Sequence, residues 1–290
     1  MVTVYEADKV AAGKASLTAK INQREGLRFY YQGELLKLET IRAAWYRRPN
    51  LFGPFASDRL KQISLDGERK ALQEVMWGKI PEERWLNAPQ SMRYADQKLV
   101  QLELARSLGM TIPATIVSNR QGNISKYLPE KAVFKAVYSG LLHEAAGIKH
   151  LYTTPVDLQK LPPKTNPFPG LWQPYITKKR EWRITVVGHR VFAAAIYTKG
   201  EAKADWRHPK YEKLVQMRKE AFPDDIKHKC LQYLKQLGLR YGAFDFIETE
   251  AGEIVFLECN PNGQYGWLET DLGLPISKAI ADELLATQAA

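Results

Sequence analysis

The stretch YGAFDFIETEAGEIVFLECNPNG, residues 241–263, alternates apolar and polar positions on both sides of Ala251-Gly252. Alternation with period two marks strands, and a glycine between two such runs marks a hairpin. With Ala251 and Gly252 as the loop, Glu250 pairs with Glu253. Counting outward then places Asp245 opposite Glu258 and Ala243 opposite Asn260. Directly opposed side chains share a face, with Cβ atoms about 4.5–5.5 Å apart. One face would therefore carry Asp245, Glu258 and Asn260. Opposed carboxylates repel, and a divalent cation removes that penalty. Three oxygen-bearing groups suit Mg2+, which completes its shell with water and phosphate oxygens. On this reading, neutralising either carboxylate leaves the metal-free fold intact or slightly more stable. A bulge at Gly252 would shift the count by one. The carboxylate pair alone reads more simply as a solvent-facing acidic strand. Phe244, Phe246, Phe256 and Leu257 around it, and the rigid turn Asn260-Pro261-Asn262-Gly263, argue instead for a buried sheet with a polar end.

The rest of the chain must house such a sheet. Its 290 residues suffice for one large domain or two modest ones. Hydrophobic residues at 45% and charged residues at 26% are ordinary for a globular protein and exclude a disordered chain. No stretch reaches the ~18 apolar residues needed to span a bilayer, so no membrane partner is expected. The opening MVTVYEADKV lacks the basic-then-apolar pattern of a secretory signal. Cys230 and Cys259 make neither a disulfide framework nor a zinc site, and a cytoplasmic protein with reduced thiols is expected. The net charge of +10 favours a polyanionic partner: nucleic acid, nucleotide phosphates or an acidic peptide. Basic residues are scattered, apart from short clusters such as Lys178-Lys179-Arg180. Zinc-finger spacing and RNP-like aromatics are absent from the sequence, which disfavours nucleic acid. Composition leaves monomer and homodimer open.

Strands are expected at Val2–Tyr5, Leu27–Tyr31 and Ile41–Tyr46, with Gln32-Gly33 as a turn. A polar helix is expected over Ser64–Lys79, then a linker bracketed by Pro81 and Pro89. The stripe Ala95, Leu99, Leu102, Ala105 predicts one helix over Tyr94–Leu108, with Ser91 as a candidate N-cap and Gly109 as its stop. Short strands follow at Thr111–Val117 and Ala132–Val137. Thr153–Gly170, rich in Pro, Lys and Thr, reads as a loop. A hairpin turning at Gly188-His189 joins Trp182–Val187 to Val191–Tyr197. A helix capped by Asp224 or Asp225 carries the stripe Ile226, Cys230, Tyr233, Leu234, Leu237 and ends at Gly238. A last amphipathic helix starts near Ser277. Mixed strands and helices imply an α+β fold.

Asp245 on one strand and Glu258-x-Asn260 on the next resemble the metal site of the ATP-grasp superfamily. The resemblance extends over residues 91–270. The segments AAWYRRP (43–49), EWRITVVGHRVFAA (181–194), DWR (205–207) and FLECNPNGQ (256–264) resemble more narrowly the ligases that make microviridin-type graspetides. The resemblance implies a reduced, Rossmann-like pre-ATP-grasp domain over 1–90, starting at its second strand, and an ATP-grasp domain over 91–290. The lobes of that domain would be 91–176 and 177–290, with ATP between them. It also implies ATP and Mg2+ as cofactors, and Asp245, Glu258 and Asn260 as metal ligands.

The same resemblance distributes the nucleotide contacts. Lys98, and Lys135 within the apolar strand AVFKAV, would meet phosphates. Without the resemblance, Lys135 reads more simply as a lysine on the exposed face of an edge strand. Gln173, Pro174, Tyr175 and Ile176 would be the adenine hinge, and otherwise a buried strand. Glu181 would hold the ribose, and otherwise pair with Lys179 or Arg180. Arg183, on the face of Glu181, would clamp the γ-phosphate and the acyl phosphate, and otherwise form a cross-strand ion pair. Arg207 would contact the acceptor or a substrate carboxylate, and otherwise sit in a capped surface turn. A glycine-rich phosphate cover is weak here, with only Ser139-Gly140 and Gly147 available.

The family condenses Asp or Glu side chains of an acidic precursor peptide with Thr or Ser hydroxyls or Lys amines, so that activity is the expectation. A RimK-like amino-acid ligase, a small-peptide ligase and a non-catalytic peptide-binding relative are the alternatives.

Overall fold

The computed structural model describes residues 3–47, 59–137, 141–144, 147–150, 153–160, 165–200 and 213–286. It divides into two compact units, Met1–Pro89 with Ile280–Ala290, and Gln90–Ala279.

The first unit opens with a short helix, α1 (Ala7–Ala11). The antiparallel strands β1 (Leu17–Asn22), β2 (Gly26–Tyr31) and β3 (Glu34–Leu36) follow in that spatial order. Gln32 and Gly33 both have positive φ, 55° and 83°, and close a two-residue hairpin between Tyr31 and Glu34. Primed turns of this kind match the twist of the strands they join. The helix α2 (Arg59–Trp77) begins and ends earlier than the polar helix expected over Ser64–Lys79. Phe29, Leu38, Met76, Trp77, Ile80 and Trp85 form the core of the unit. Two expected strands are not formed among the described residues. Val4 and Tyr5 lie in irregular chain, where the Tyr5 hydroxyl accepts a 2.8 Å bond from Gln73 Nε2. Of Ile41–Tyr46, only Ala44 makes a bridge, to Trp85. Among the described residues this sheet is an antiparallel meander without a parallel βαβ unit.

The second unit begins at Gln90, within α3 (Pro89–Ala95), and continues into α4 (Lys98–Ser107). The single helix expected over Tyr94–Leu108 is broken at Asp96-Gln97, and it starts before Ser91. Gly109, at φ 72°, stops it as expected. Next come β4 (Ile116–Arg120), α5 (Gln121–Tyr127), β5 (Lys131–Lys135), β6 (Leu141–Glu144), β7 (Gly147–His150), β8 (Thr154–Asp157) and β9 (Thr165–Pro174). Strands β4, β9, β5 and β8 form an antiparallel sheet in that order. Its α5 side is filled by Ile124, Leu128, Ala132, Leu158 and Trp172. Among its described residues the expected loop Thr153–Gly170 is largely strand.

A five-stranded antiparallel sheet follows. It is built from β10 (Lys178–Val187), β11 (Arg190–Thr198), β12 (Val215–Lys219), β13 (Tyr241–Thr249) and β14 (Ile254–Asn260), in the spatial order β12-β11-β10-β13-β14. The helix α6 (Asp224–Gln236) precedes β13. Pro223 stands at its N-cap, so Asp224 and Asp225 belong to its first turn. Tyr233 of α6 packs edge-on against Phe244 and tilted against Phe256. Phe222 packs on Trp182 and Phe246. These aromatics bury one face of the sheet and leave the other for polar groups. The helices α7 (Gly266–Leu272) and α8 (Ile276–Ala286) end the described chain. No described helix is long and apolar enough to cross a membrane.

Candidate active site

The face of the large sheet opposite the aromatic layer collects charged and polar side chains from three strands. Asp245 is opposite Glu258, and Ala243 is opposite Asn260. The route to this register differs from the simple count. Thr249 N–H donates to Glu253 O at 2.9 Å, so the loop is Glu250-Ala251-Gly252, with Gly252 at φ 85°. That loop shifts the pairing by one residue. A bulge at Leu257, between the pairs Phe246–Phe256 and Asp245–Glu258, shifts it back. Such a bulge leaves one residue unpaired and re-aims those beyond it. Here it returns Glu258 and Asn260 to the face of Asp245 while Cys259 stays in the core, 1% exposed.

Strand β10 adds cations to that face. Arg183 is paired in register with Asp245, and its Nη1 lies 2.8 and 2.9 Å from the two carboxylate oxygens. Asn260 Nδ2 lies 3.5 Å from Asp245 Oδ2. The Arg183 guanidinium also sits 6.0 Å from the centroid of the Trp267 ring, and its Nε finds no partner among the described residues. The guanidinium of Arg183 thus offsets the charge of Asp245 beside the opposed Glu258. A second irregularity, between Lys178 and Arg180, puts Lys178 opposite Thr249, on the same face as Asp245. Lys178 is 9% exposed and forms an ion pair with Glu181.

Asp96, at the break between α3 and α4, also belongs to this neighbourhood. It retains solvent access, yet desolvation by the surrounding protein holds its carboxyl above the usual range; Lys98 opposes the rise and Glu258 adds to it. Lys98, the first residue of α4, is partly buried. Lys135 and Gln173 lie on the four-stranded sheet, on the face away from α5. Gln173 is buried and donates to Thr115 Oγ1 at 3.0 Å. In the adjoining segment Pro174 pairs with Ala132, Tyr175 donates its amide to Lys131 O at 3.0 Å, and Ile176 is half-buried. Arg207 and the rest of Asp205-Trp206-Arg207 lie outside the described residues, as does Ser139-Gly140.

The structure thus brings Glu181, Arg183, Asp245, Glu258 and Asn260 onto one face. Sequence reasoning missed three neighbours: Asp96, Lys178 and Gln101. Gln101 carried a usable signal, a polar side chain set into an apolar helix face. The donor set is hard: two carboxylates and one amide. Among the described residues no group of three or more Asp, Glu, His or Cys side chains is arranged as a metal cage. A site of this composition suits Mg2+, which takes few protein oxygens and leaves the remaining positions to water and phosphates.

No family sequence model and no curated protein sequence matches the chain. Solved structures do. Macrocyclase MdnC from Microcystis aeruginosa MRC, bound with precursor peptide MdnA, shares 27% identity over 98% of this chain and 90% of its own, with a TM-score of 0.79. A RiPP-associated ATP-grasp ligase from Chryseobacterium gregarium, in complex with ADP and a leader and core peptide, shares 28% identity over 94% of this chain and 85% of its own, with a TM-score of 0.76. VanG D-Ala:D-Ser ligase from Enterococcus faecalis, at 18% identity and a TM-score of 0.51, shares the fold alone. In fold and sequence together this chain is similar to ATP-grasp ligases, among them RiPP-associated ligases and macrocyclases.

Proposed function

We propose that this ligase matures a ribosomal precursor peptide. With cleavage of ATP to ADP, a side-chain carboxylate of Asp or Glu becomes an acyl phosphate. A Thr or Ser hydroxyl or a Lys amine then displaces phosphate, closing a macrocyclic ester or amide. One observation carries this reading: the register that sets Arg183, Asp245, Glu258 and Asn260 on one face, in a fold shared at 27–28% identity with peptide macrocyclases and ligases.

Asp245, Glu258 and Asn260 would hold Mg2+, which when bound supplies positive charge against the nucleotide phosphates. Arg183 orients the terminal phosphate and stabilises charge developing on it, since a planar guanidinium meets two oxygens at once. Its pairing with Asp245 holds the guanidinium on the face of the site. Lys98 and Lys135 add phosphate contacts, Glu181 takes the ribose, and Gln173–Ile176 line the base. Arg207 contacts the acceptor or the peptide carboxylate. Catalysis of this kind is mostly positioning and electrostatics. Residues 1–90 form the pre-ATP-grasp domain, and 91–176 and 177–290 form the lobes. The enzyme works in the cytoplasm, and its +10 charge favours an acidic peptide.

Steady-state ADP formation tests this. An acidic peptide containing Thr, Ser and Lys should raise Mg2+-dependent turnover well above the peptide-free rate. Stimulation by free amino acids, with none by the peptide, would favour a RimK-like ligase.

A further inference from the structure

Beneath the polar face, one buried amide ties the site strand to the helix pair. Gln101 on α4 is 3% exposed. Its Nε2 donates to Cys259 O and to Ala95 O, each at 2.7 Å, and its Oε1 accepts from Cys259 N–H at 3.1 Å. The side chain thus pairs with both backbone groups of Cys259 as a neighbouring strand residue would. β14 is the edge of the large sheet, and an edge leaves a row of unpaired backbone groups. Gln101 covers that edge at the residue between Glu258 and Asn260. Thr111 covers it further along, where its carbonyl accepts from Phe256 N–H at 2.8 Å.

The bulge at Leu257 gives this contact its consequence. Ladder pairing on the β13 side is irregular just before Glu258. The strand there needs a second anchor if Glu258 and Asn260 are to keep one orientation. The same amide takes Ala95 O, the last carbonyl of α3, and so fixes the break that carries Asp96 and Lys98.

We propose that Gln101 is a positioning residue for the cation site: by clamping the Cys259 backbone it holds Glu258 and Asn260 in register with Asp245. This rests on the reading of Asp245, Glu258 and Asn260 as the Mg2+ set. Outer groups that orient metal ligands matter by about 10–100-fold in metal affinity, and a similar weakening is expected here.

The test is a Mg2+ titration of ADP binding to the full chain, followed by calorimetry, for wild type, Gln101→Met, Leu102→Ala and Asp245→Asn. Gln101→Met should need at least about tenfold more Mg2+, with ADP affinity in excess chelator unchanged. Leu102→Ala, which removes a buried apolar group from the same helix, should lower Tm and leave the Mg2+ requirement as it is. If Gln101→Met does not fold, Gln101→Asn, one methylene shorter than the side chain that reaches both Cys259 and Ala95, replaces it. Amide exchange in the wild type provides a further check: Cys259 N–H should be as protected as the amides of β13. A wild-type Mg2+ response in the folded Gln101 variant, or fast exchange at Cys259, overturns the proposal. If Asp245→Asn also leaves the Mg2+ response intact, the cation site itself is misassigned. If it abolishes the response while Gln101→Met does not, only the positioning role fails.

Discussion

Asp245 faces a second carboxylate and is held there by Arg183, which donates to both its oxygens. This reverses one expectation from the bare sequence. Asp245→Asn relieves repulsion but leaves a largely buried guanidinium without its charge partner, and removing one partner of such a pair costs more than the pair contributes. The metal-free variant should be less stable by about 1–2 kcal/mol, with the neutral amide retaining one acceptor. Chemical denaturation in chelator measures this, and a variant as stable as wild type would show that Arg183 has another counterion. Glu248 offers a second case on the aromatic side of the sheet. Burial works against its charge, but bonds from Arg180, Trp182 Nε1 and Lys179 outweigh burial and hold its carboxyl below the ordinary 4.5. A depressed carboxyl stabilises above its unfolded pKa, and that contribution is lost as pH falls through the folded value. Glu248→Gln should therefore cost about 2–3 kcal/mol at neutral pH and flatten the acid limb of the stability profile below pH ~4.5. Asp245, Glu258 and Asn260 were legible because alternation fixes faces. Lys178 was not, because a bulge moves it to a face that simple alternation denies it.

At the scale of elements, the hairpin shows how a count can reach the right register by the wrong path. Two one-residue shifts, at the three-residue loop and at Leu257, cancel before the site. No period-two pattern announces such a pair: the loop shift is held by local bonds between Thr249 and Glu253 and by Gly252 at φ 85°, and the bulge at Leu257 interrupts the alternation itself. The segment Thr153–Gly170 failed as a loop for a related reason. Pro155 lies on the edge strand β8, where a missing N–H is tolerated, and β9 pairs irregularly with β4 around Pro167 and Pro169. The turn after Asn260 is anchored by close approach. A Cβ on Gly263 would lie 2.5 Å from Ala243 Cβ and 3.3 Å from Asn260 Cβ, and Tyr241 donates to Gly263 O at 2.7 Å. Gly263→Ala should therefore destabilise by about 1–3 kcal/mol, and should weaken Mg2+-dependent nucleotide binding because Asn260 must move. Thermal melts and nucleotide titrations check both parts; unchanged binding at lowered Tm would detach the turn from the site.

For the molecule as a whole, the large sheet works as a two-sided plate. Trp182, Phe222, Phe244, Phe246 and Phe256 bury one side, and that burial fixes the side left for charge. The chain's excess of ten positive charges adds a long-range attraction for an acidic substrate, screened over about 8 Å at physiological ionic strength. The measurement that bears most directly on this account is the intact mass of an acidic, Thr-containing precursor peptide after incubation with the enzyme, ATP and Mg2+. The account predicts loss of one water mass for each ring closed, and no mass change with Glu258→Gln. An unchanged peptide mass in the presence of bound nucleotide, or added residue masses, would contradict it.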